Sequence, residues 1–359
     1  MLKKQNKHAK TNMLKAIDFF CSGGGMTCGL SQAGVDVIAG VDNDPTCKET
    51  YEINNPSSKY LLYDIKKLKE EELQKLLGLK KNDPDLILVG CSPCQYWSII
   101  RTDKTKARKS KNLLSEFQRF VTYFKPGYVL VENVPGILTR KNKSGLDKFI
   151  NILKSNDYSV YYDCVNMNEY GVPQKRRRFT LIASRLHGED EIPKPQTTQR
   201  TILSEYLGKN NGFPQINAGN RDNSVFNHST AFISDINLKR IERTTKNGGS
   251  RSDWEKDREL KRINYKGNGF PDNYGRMCWN KPAPTITTKF LSVSNGRFGH
   301  PVENRGISLR EGATLQTFPK EYAFPHKSIH VSARIIGNAV PPLYARNIAE
   351  NIIKKHKIK

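Results

Sequence analysis

The sequence lacks long apolar stretches and a regular cysteine framework. No run approaches the roughly 18 uninterrupted apolar residues that a membrane-spanning helix needs, so we expect no membrane span. The lysine-rich segment 1–15 has no apolar run behind it, which argues against a secretory signal. Seven cysteines at irregular spacing do not suit a disulfide scaffold and are typical of free thiols in a reducing compartment. We therefore expect a cytoplasmic protein.

Acidic side chains are also scarce relative to basic ones. Lys plus Arg number 59 against 35 Asp plus Glu, which gives a net charge of +24. The segments 1–15 and 354–359 contribute nine lysines and no acid, so +15 remains in the body of the chain. Such an excess favours a polyanionic partner, most often nucleic acid, although a lysine-rich proteome would give the same composition.

Short apolar runs alternate with helical segments in the first half of the chain. This alternation predicts an α/β fold with a mostly parallel, doubly wound sheet. After residue 185 the sequence turns rich in Gly, Asn, Ser and Arg, which indicates a smaller, loop-rich domain. The predicted strands are 16–20, 35–41, 85–90, 128–132, 160–165 and 179–184; the predicted helices are 26–33, 46–54, 113–124 and 335–355, the last broken early by Pro341-Pro342.

A glycine-rich segment lies between the first strand and the first helix. It reads Asp-Phe-Phe-Cys-Ser-Gly-Gly-Gly over 18–25, which differs from the GxGxxG dinucleotide fingerprint. Such a turn lets a nucleotide-like cofactor approach the backbone, or it serves only as a structural turn. Asp42 ends the second strand, where an acid can hold ribose hydroxyls. Asp64 and Ile65 follow another apolar run and could meet an adenine amino group and ring.

The most specific local signal is Gly-Cys-Ser-Pro-Cys-Gln-Tyr-Trp-Ser over 90–98, which follows an apolar strand. Cys91 and Cys94 could form a redox pair or half a zinc site. No second CxxC or His pair accompanies them, so we expect no metal. The other interpretation is that Cys94 is a nucleophilic thiolate, which needs positive surroundings. The basic stretch 101–112 follows directly and is either a solvated loop or a lid that grips phosphates.

Two further segments end or begin predicted strands. Glu132-Asn133-Val134 closes the strand 128–132, and a carboxyl group at a buried strand end is a candidate proton donor. Arg176 and Arg178 precede the strand 179–184 and face the same way by strand alternation. Together they could meet a phosphate or a base carbonyl.

These segments, in this order, resemble the motifs of bacterial DNA cytosine-5 methyltransferases of the restriction–modification type. Two later segments extend the resemblance, Arg-Glu-x-x-x-Leu-Gln-x-Phe-Pro over 310–319 and Gly-Asn-x-Val-Pro-Pro over 337–342. It covers residues 14 to about 353 except for the variable middle. Ser22 departs from the family's usual glycine, and Asp42 stands where many members carry Glu.

The resemblance implies a Rossmann-like domain that transfers a methyl group from S-adenosylmethionine to C5 of a flipped-out cytosine, leaving S-adenosylhomocysteine. It implies a basic tail over 1–13, a catalytic domain over 14–188 plus 328–359, and a target-recognition domain over 189–327. The implied cofactor residues are Asp18, Phe20, Ser22, Gly23, Gly24, Gly25, Asp42, Asn43, Asp64, Ile65, Pro93, Asn338 and Ala339. The implied catalytic residues are Cys94, Glu132, Arg176 and Arg178. The implied DNA contacts are Gln95, Ser98, Arg101, Lys104, Lys106, Gln174, Arg276, Thr287 and Arg297.

The implied partners are duplex DNA with a specific target site and a cognate restriction endonuclease. The expected state is a monomer at the bacterial nucleoid. Alternatives are an RNA cytosine-5 methyltransferase on the same fold, a non-catalytic DNA-binding relative, and a nicotinamide oxidoreductase on a similar sheet. The last would not explain the Pro-Cys-Gln segment together with the late Gly-Asn segment.

Overall fold

The computed structural model describes residues 13–93, 112–139, 144–188, 194–254, 256–260 and 272–357. The strands are β1 (Lys15–Phe19), β2 (Asp36–Asp42), β3 (Lys59–Leu62), β4 (Leu86–Gly90), β5 (Tyr128–Asn133), β6 (Ser159–Asn166), β7 (Gln174–Lys175), β8 (Arg177–Ser184), β9 (Arg221–Asp222), β10 (His228–Ser229) and β11 (Ala283–Pro284). Seven of them form a sheet with the order β3-β2-β1-β4-β5-β8-β6. In this sheet β8 runs antiparallel to its neighbours β5 and β6, and the other pairings are parallel, which confirms the predicted mostly parallel sheet.

The helices agree with the sequence pattern where that pattern is long. The helix predicted over 335–355 is two helices, separated where Pro341 and Pro342 lack the backbone N–H groups that a helix interior needs. In the described ranges, none of the helices has the length and apolar character for a membrane crossing. The α-helices are α1 (Gly25–Gln32), α2 (Lys48–Asn54), α3 (Glu70–Leu77), α4 (Leu113–Phe124), α5 (Gly136–Thr139), α6 (Leu146–Ser155), α7 (Asp235–Arg243), α8 (Leu309–Leu315), α9 (Ile329–Asn338) and α10 (Pro342–His356).

Both faces of the sheet are covered by helices. Side chains alternate along a strand, so Leu86 and Leu88 of β4 pack with α4 and α6 on one face. Ile87 and Val89 point the other way and pack with α1 and α10. This three-layer arrangement leaves the carboxyl ends of β1, β2, β4 and β5 free to build a site.

A further apolar core joins the loop-rich region to the sheet. It contains buried residues of α1 and α2 together with Ile286 and Phe290 from the loop-rich region. Tyr322 donates a hydrogen bond to the carbonyl of Gly23 at 2.6 Å, so the segment before α9 packs on the glycine-rich turn. The domain boundaries implied by the sequence remain a prediction.

A buried charge cluster stabilises this packed region. Arg305 pairs with Glu311 through both terminal nitrogens at 2.7 and 2.9 Å. His300 lies beside them, 3% exposed, and its Nδ1 accepts the backbone N–H of Glu303 at 3.0 Å. Burial, with the nearby positive charges of Arg305 and Arg276, lowers the pKa of His300 to about 4.

Stability is therefore expected to fall between pH 6.5 and 4. The unfolded chain protonates this imidazole near its ordinary value of about 6.5, whereas the folded chain resists protonation until pH is about 4. The contribution reaches up to about 3 kcal/mol. Denaturation midpoints measured across this range should show a shallower pH slope in His300→Gln than in the parent protein.

The comparison between variants is needed because other groups titrate in the same range with the opposite sign. Burial raises the pKa of Asp18 to about 7, so its protonated form adds stability as the pH falls. The exposed His330 gives a matched control, and His330→Gln should keep the parent slope. An unchanged slope in His300→Gln would contradict the assignment.

Candidate active site

The carboxyl ends of four parallel strands enclose a cleft of about 290 Å³. At this point the connection after β1 leads to β2 on one side and the connection after β4 leads to β5 on the other, which is where open α/β sheets bind ligands. Because β8 is antiparallel, its first residues reach the same edge. The lining residues are Asp18, Phe20, Cys21, Ser22, Gly25, Met26, Asp42, Asn43, Asp44, Cys47, Cys91, Ser92, Pro93, Glu132, Asn133, Val134, Arg176, Arg178, Arg334, Gly337, Asn338, Ala339 and Val340.

Asp18 places a buried carboxylate on the wall of the cleft. Its Oδ2 accepts the hydroxyl hydrogen of Thr27 at 2.8 Å, while Oδ1 has no partner among the described residues. Desolvation raises the pKa of this carboxyl to about 7. A buried acceptor without a partner is costly unless a ligand supplies a donor.

Asp42 presents a second carboxylate, held by the backbone on both sides. Its Oδ2 accepts the N–H of Ser22 at 2.9 Å, and its Oδ1 accepts the N–H of Asp44 at 2.9 Å. Desolvation raises the pKa of Asp42 despite these hydrogen bonds. Each oxygen keeps lone-pair capacity for a further donor such as a sugar hydroxyl.

A smaller cavity of about 60 Å³ adjoins the cleft on the far side of Phe20 and Asp42. Asp64 and Ile65 line it together with Tyr63, so an aromatic ring, a carboxylate and apolar side chains meet there. This composition suits a flat heterocycle with an exocyclic amino group.

The opposite end of the cleft carries an ion pair. Arg178 Nε lies 3.1 Å from Glu132 Oε1, and the two side chains are 15% and 11% exposed. Glu132 Oε1 makes no hydrogen bond of acceptable angle to any described residue. The ion pair is thus largely shielded from solvent and held in a fixed orientation, yet Glu132 Oε1 can still accept a hydrogen bond from a substrate group.

Asn133, the next residue, fixes the loop after β4. Its buried side-chain amide donates to the carbonyl and to the hydroxyl oxygen of Ser92, both at 3.1 Å. Its carbonyl oxygen accepts the N–H of Val134 at 2.9 Å, which sets the amide orientation. The backbone two residues before Cys94 is therefore anchored to β5.

The segment 283–288 of the loop-rich region packs against two residues of the cleft wall, Arg176 and Gly337. Arg176 is 2% exposed and donates to the carbonyls of Ile286 at 3.1 Å and Ala339 at 3.0 Å. A Cβ atom at Gly337 would lie 2.4 Å from the backbone of Thr287, so only glycine permits this contact. Arg176 thereby ties α9 to the loop-rich region at the edge of the site.

The model of the family "C-5 cytosine-specific DNA methylase" matches residues 14–354. The chain belongs to this family. It is a DNA cytosine-5 methyltransferase of the Type II restriction–modification kind.

Individual relatives agree with this assignment. The methyltransferase is 38% identical to the Type II methylase M.HgiDII of Herpetosiphon aurantiacus, over 94% of each chain. It is 30% identical to the Type II methyltransferase M1.HphI of Haemophilus parahaemolyticus, over 95% of this chain and 87% of the other. A prophage-encoded DNA modification methyltransferase structure from E. coli has a TM-score of 0.73 at 24% identity, covering 95% of this chain and 99% of that one, which supports the fold.

Most of the predicted cofactor residues of the methyltransferase come together in the two cavities. Gly23 and Gly24 do not line either of them. Gly24 caps α1 with φ of 86°, and a Cβ atom there would meet Asn55 and Tyr322 at 2.6 and 2.8 Å. Their contact with the cofactor therefore stays a prediction.

Two predicted DNA contacts are wrong because both side chains are buried in the protein. Arg276 is 0% exposed and donates to four backbone carbonyls and to Asn304, through every nitrogen of its guanidinium. Gln174 is 0% exposed and bonds Leu315, Gln316 and the N–H of Ile286. The large number of internal partners explains why neither is available to a base edge.

Other predicted residues have different outcomes. Arg297 uses Nε on Asp272 and Nη1 on backbone carbonyls including Gly249, so its guanidinium is largely engaged within its own region. Thr287 stays a predicted DNA contact. Six predicted residues lie outside the described residues, namely Cys94, Gln95, Ser98, Arg101, Lys104 and Lys106.

The residues predicted for the cofactor, catalytic and DNA sites do not include Asn133, Cys91 or Arg334, which all line the cleft. Asn133 and Cys91 belong to segments already singled out, so their place beside Glu132 and Cys94 was a usable signal. Arg334 lies one helical turn before Asn338, and periodicity along α9 could have indicated a shared face.

Proposed function

We propose that this methyltransferase transfers a methyl group from S-adenosylmethionine to C5 of a cytosine flipped out of a specific duplex sequence. The transfer would proceed through a covalent bond between Cys94 and C6. The observation that carries the proposal is a single cleft lined both by the partnerless Asp18 carboxylate and by the Glu132–Arg178 pair.

The residues present fit the cofactor. Asp18 Oδ1 offers an acceptor for the ammonium of the methionine part, near Asn338 and Ala339 on the cleft wall. Asp42 offers lone pairs to the ribose hydroxyls, and the smaller cavity at Asp64 and Ile65 suits adenine. When bound, the cofactor supplies an electrophilic methyl group on a sulfonium.

The protein's own residues make the cytosine reactive. C5 of cytosine is a poor nucleophile until a thiolate adds to C6, which converts the C5–C6 double bond into an enamine-like system. Cys94 forms that S–C6 bond, and Asn133 holds the preceding loop through Ser92. Glu132 protonates or hydrogen-bonds N3 as negative charge develops, and Arg178 orients both Glu132 and the base carbonyl.

The end of the reaction restores the enzyme. After C5 has gained the methyl group, its hydrogen leaves as a proton, the double bond re-forms and the S–C6 bond breaks. The target base cannot reach so enclosed a cleft from within a duplex, so the base is extruded. The net charge of +24 favours the phosphate backbone that surrounds it.

The loop-rich region would choose the target sequence. Its segment 283–288 contacts the cleft wall, which couples the region to the catalytic end. Because the relatives are Type II methyltransferases, we further propose that a cognate endonuclease acts on the same sequence.

The direct test is methylation of unmodified genomic DNA by the purified protein with S-adenosylmethionine, followed by bisulfite sequencing. We expect protected cytosines at one position of one short motif. Protein with Cys94→Ser and reactions without cofactor are the controls. Methylation of transfer RNA but not duplex DNA would favour the RNA alternative, and no 5-methylcytosine in either would contradict the proposal.

A further inference from the structure

A hydrogen-bonded chain connects α9 to the loop after β2. Arg334 Nη1 donates to Asp44 Oδ2 at 2.8 Å, and Nη2 donates to Thr46 Oγ1 at 2.7 Å. Arg334 and Asp44 both line the large cleft, with side chains 43% and 27% exposed. The contact therefore joins two segments that line the cleft and are 290 residues apart in the sequence.

The chain continues from Asp44 to the glycine-rich turn. The N–H of Asp44 donates to Asp42 Oδ1 at 2.9 Å, and the N–H of Ser22 donates to Asp42 Oδ2 at 2.9 Å. Arg334, Asp44, Asp42 and Ser22 thus form one continuous path. This path fixes the relative positions of three segments that line the cleft, namely α9, the end of β2 with its following loop, and the glycine-rich turn.

Asp44 is a link in this path and is not a free ligand. Its Oδ1 accepts from the N–H and hydroxyl of Thr46 at 3.0 and 2.6 Å, and its Oδ2 accepts from Arg334. Partial burial acts to raise the pKa of Asp44, but the bonds from Thr46 and Arg334 outweigh it and leave the pKa lowered. The carboxylate therefore stays charged and fixed.

We propose that Arg334 is a positioning residue for cofactor binding, acting through Asp44 on the orientation of Asp42 and through α9 on that of Asn338. This inference rests on the proposed function. Asp42 can receive two ribose hydroxyls only if its carboxylate is already aligned, and prior alignment lowers the ordering cost of binding. Arg334 does not reach the Glu132–Arg178 end, so the chemical step is left largely unaffected.

The test compares Arg334→Gln with the parent protein by titration calorimetry against S-adenosylmethionine without DNA, and by steady-state methylation of DNA. We expect the dissociation constant and the cofactor KM to rise about tenfold, the effect of losing charge-assisted hydrogen bonds. The kcat at saturating cofactor should change by less than about twofold, because the lost interaction stabilises the bound ground state and the transition state equally. Arg334→Lys should recover part of the affinity, since an ammonium cannot bond both partners in a fixed fork.

Two further variants separate positioning from general damage. Arg346→Gln removes an exposed arginine that pairs with Glu350 on α10, and it should leave every parameter unchanged. Asp44→Asn should lower the affinity for the cofactor as Arg334→Gln does. The double variant should bind the cofactor no more weakly than the more affected of the two single variants. Thr46→Val provides the same test if Arg334→Gln fails to fold.

Unchanged cofactor affinity in folded Arg334→Gln, additive losses in the double variant, or a fall in kcat alone would overturn the inference. A parent protein that does not bind S-adenosylmethionine would instead overturn the proposed function. The parent titration therefore distinguishes the two failures.

Discussion

Glu132→Gln is expected to lower kcat for DNA methylation by about 10²–10⁴-fold, the usual contribution of a positioned proton donor. Glutamine has the same shape and can still donate a hydrogen bond to cytosine N3, but it cannot give up a proton there. The Glu132 side chain is 11% exposed beside Arg178, so water cannot easily replace the lost proton donor. Single-turnover rates at saturating DNA and cofactor would measure the effect on chemistry alone.

DNA affinity and cofactor affinity should remain within a few-fold of the parent values, because Glu132 lies on β5 beside Arg178, whereas the proposed cofactor residues Asp18 and Asp42 lie on β1 and β2. Glu350→Gln makes the same chemical change at an exposed site on α10, where the carboxylate pairs with Arg346 at 2.6 Å, and should be silent. A Glu132→Gln enzyme with a single-turnover rate within about fivefold of the parent would show that the hydrogen bond suffices and that proton donation is not required.

The sequence predicts the strand-end acids well because each follows a short apolar run. Asp18, Asp42 and Glu132 lie in or at the end of strands that bury their apolar residues in the sheet, and parallel strands bring their carboxyl ends to one edge. The prediction lacks β3, which is only four residues long, and the helices α3 and α6. The missing α6 is not explained by a weak signal, since Leu146, Phe149, Ile150 and Leu153 have the apolar spacing of one helix face.

The errors concern arginine and glutamine side chains whose partners are distant in sequence. Arg276 looks like a loop arginine, yet carbonyls from Ile241 to Glu303 converge on it and hold it in the interior. Arg334 is the opposite error, a cleft residue that the prediction lacks, because its partner Asp44 is 290 residues away in the sequence. Local residue types indicate that a cation is present, but only the tertiary fold decides whether carbonyls, a carboxylate or DNA receives its hydrogens.

Cys94→Ser is expected to lower the methylation rate by about 10³-fold or more, because a serine hydroxyl without a general base is a far weaker nucleophile than a thiolate. The thiol leaves C6 only after C5 loses its hydrogen as a proton. Fluorine cannot leave C5 in that way, so duplex DNA with 5-fluorocytosine at the target should retain the S–C6 bond. With cofactor present, we expect a protein–DNA adduct stable to denaturing electrophoresis, with the mass of the methylated adduct.

Cys91→Ser is the matched control, since Cys91 lines the same cleft three residues earlier and belongs to the same Cys-x-x-Cys segment. Burial raises the pKa of the Cys91 thiol well above its ordinary value, so this thiol is a poor nucleophile. Cys91→Ser should therefore still form the adduct, and Cys94→Ser should not. An adduct in Cys94→Ser but none in Cys91→Ser would reassign the nucleophile, and no adduct in the active parent protein would contradict the covalent route altogether.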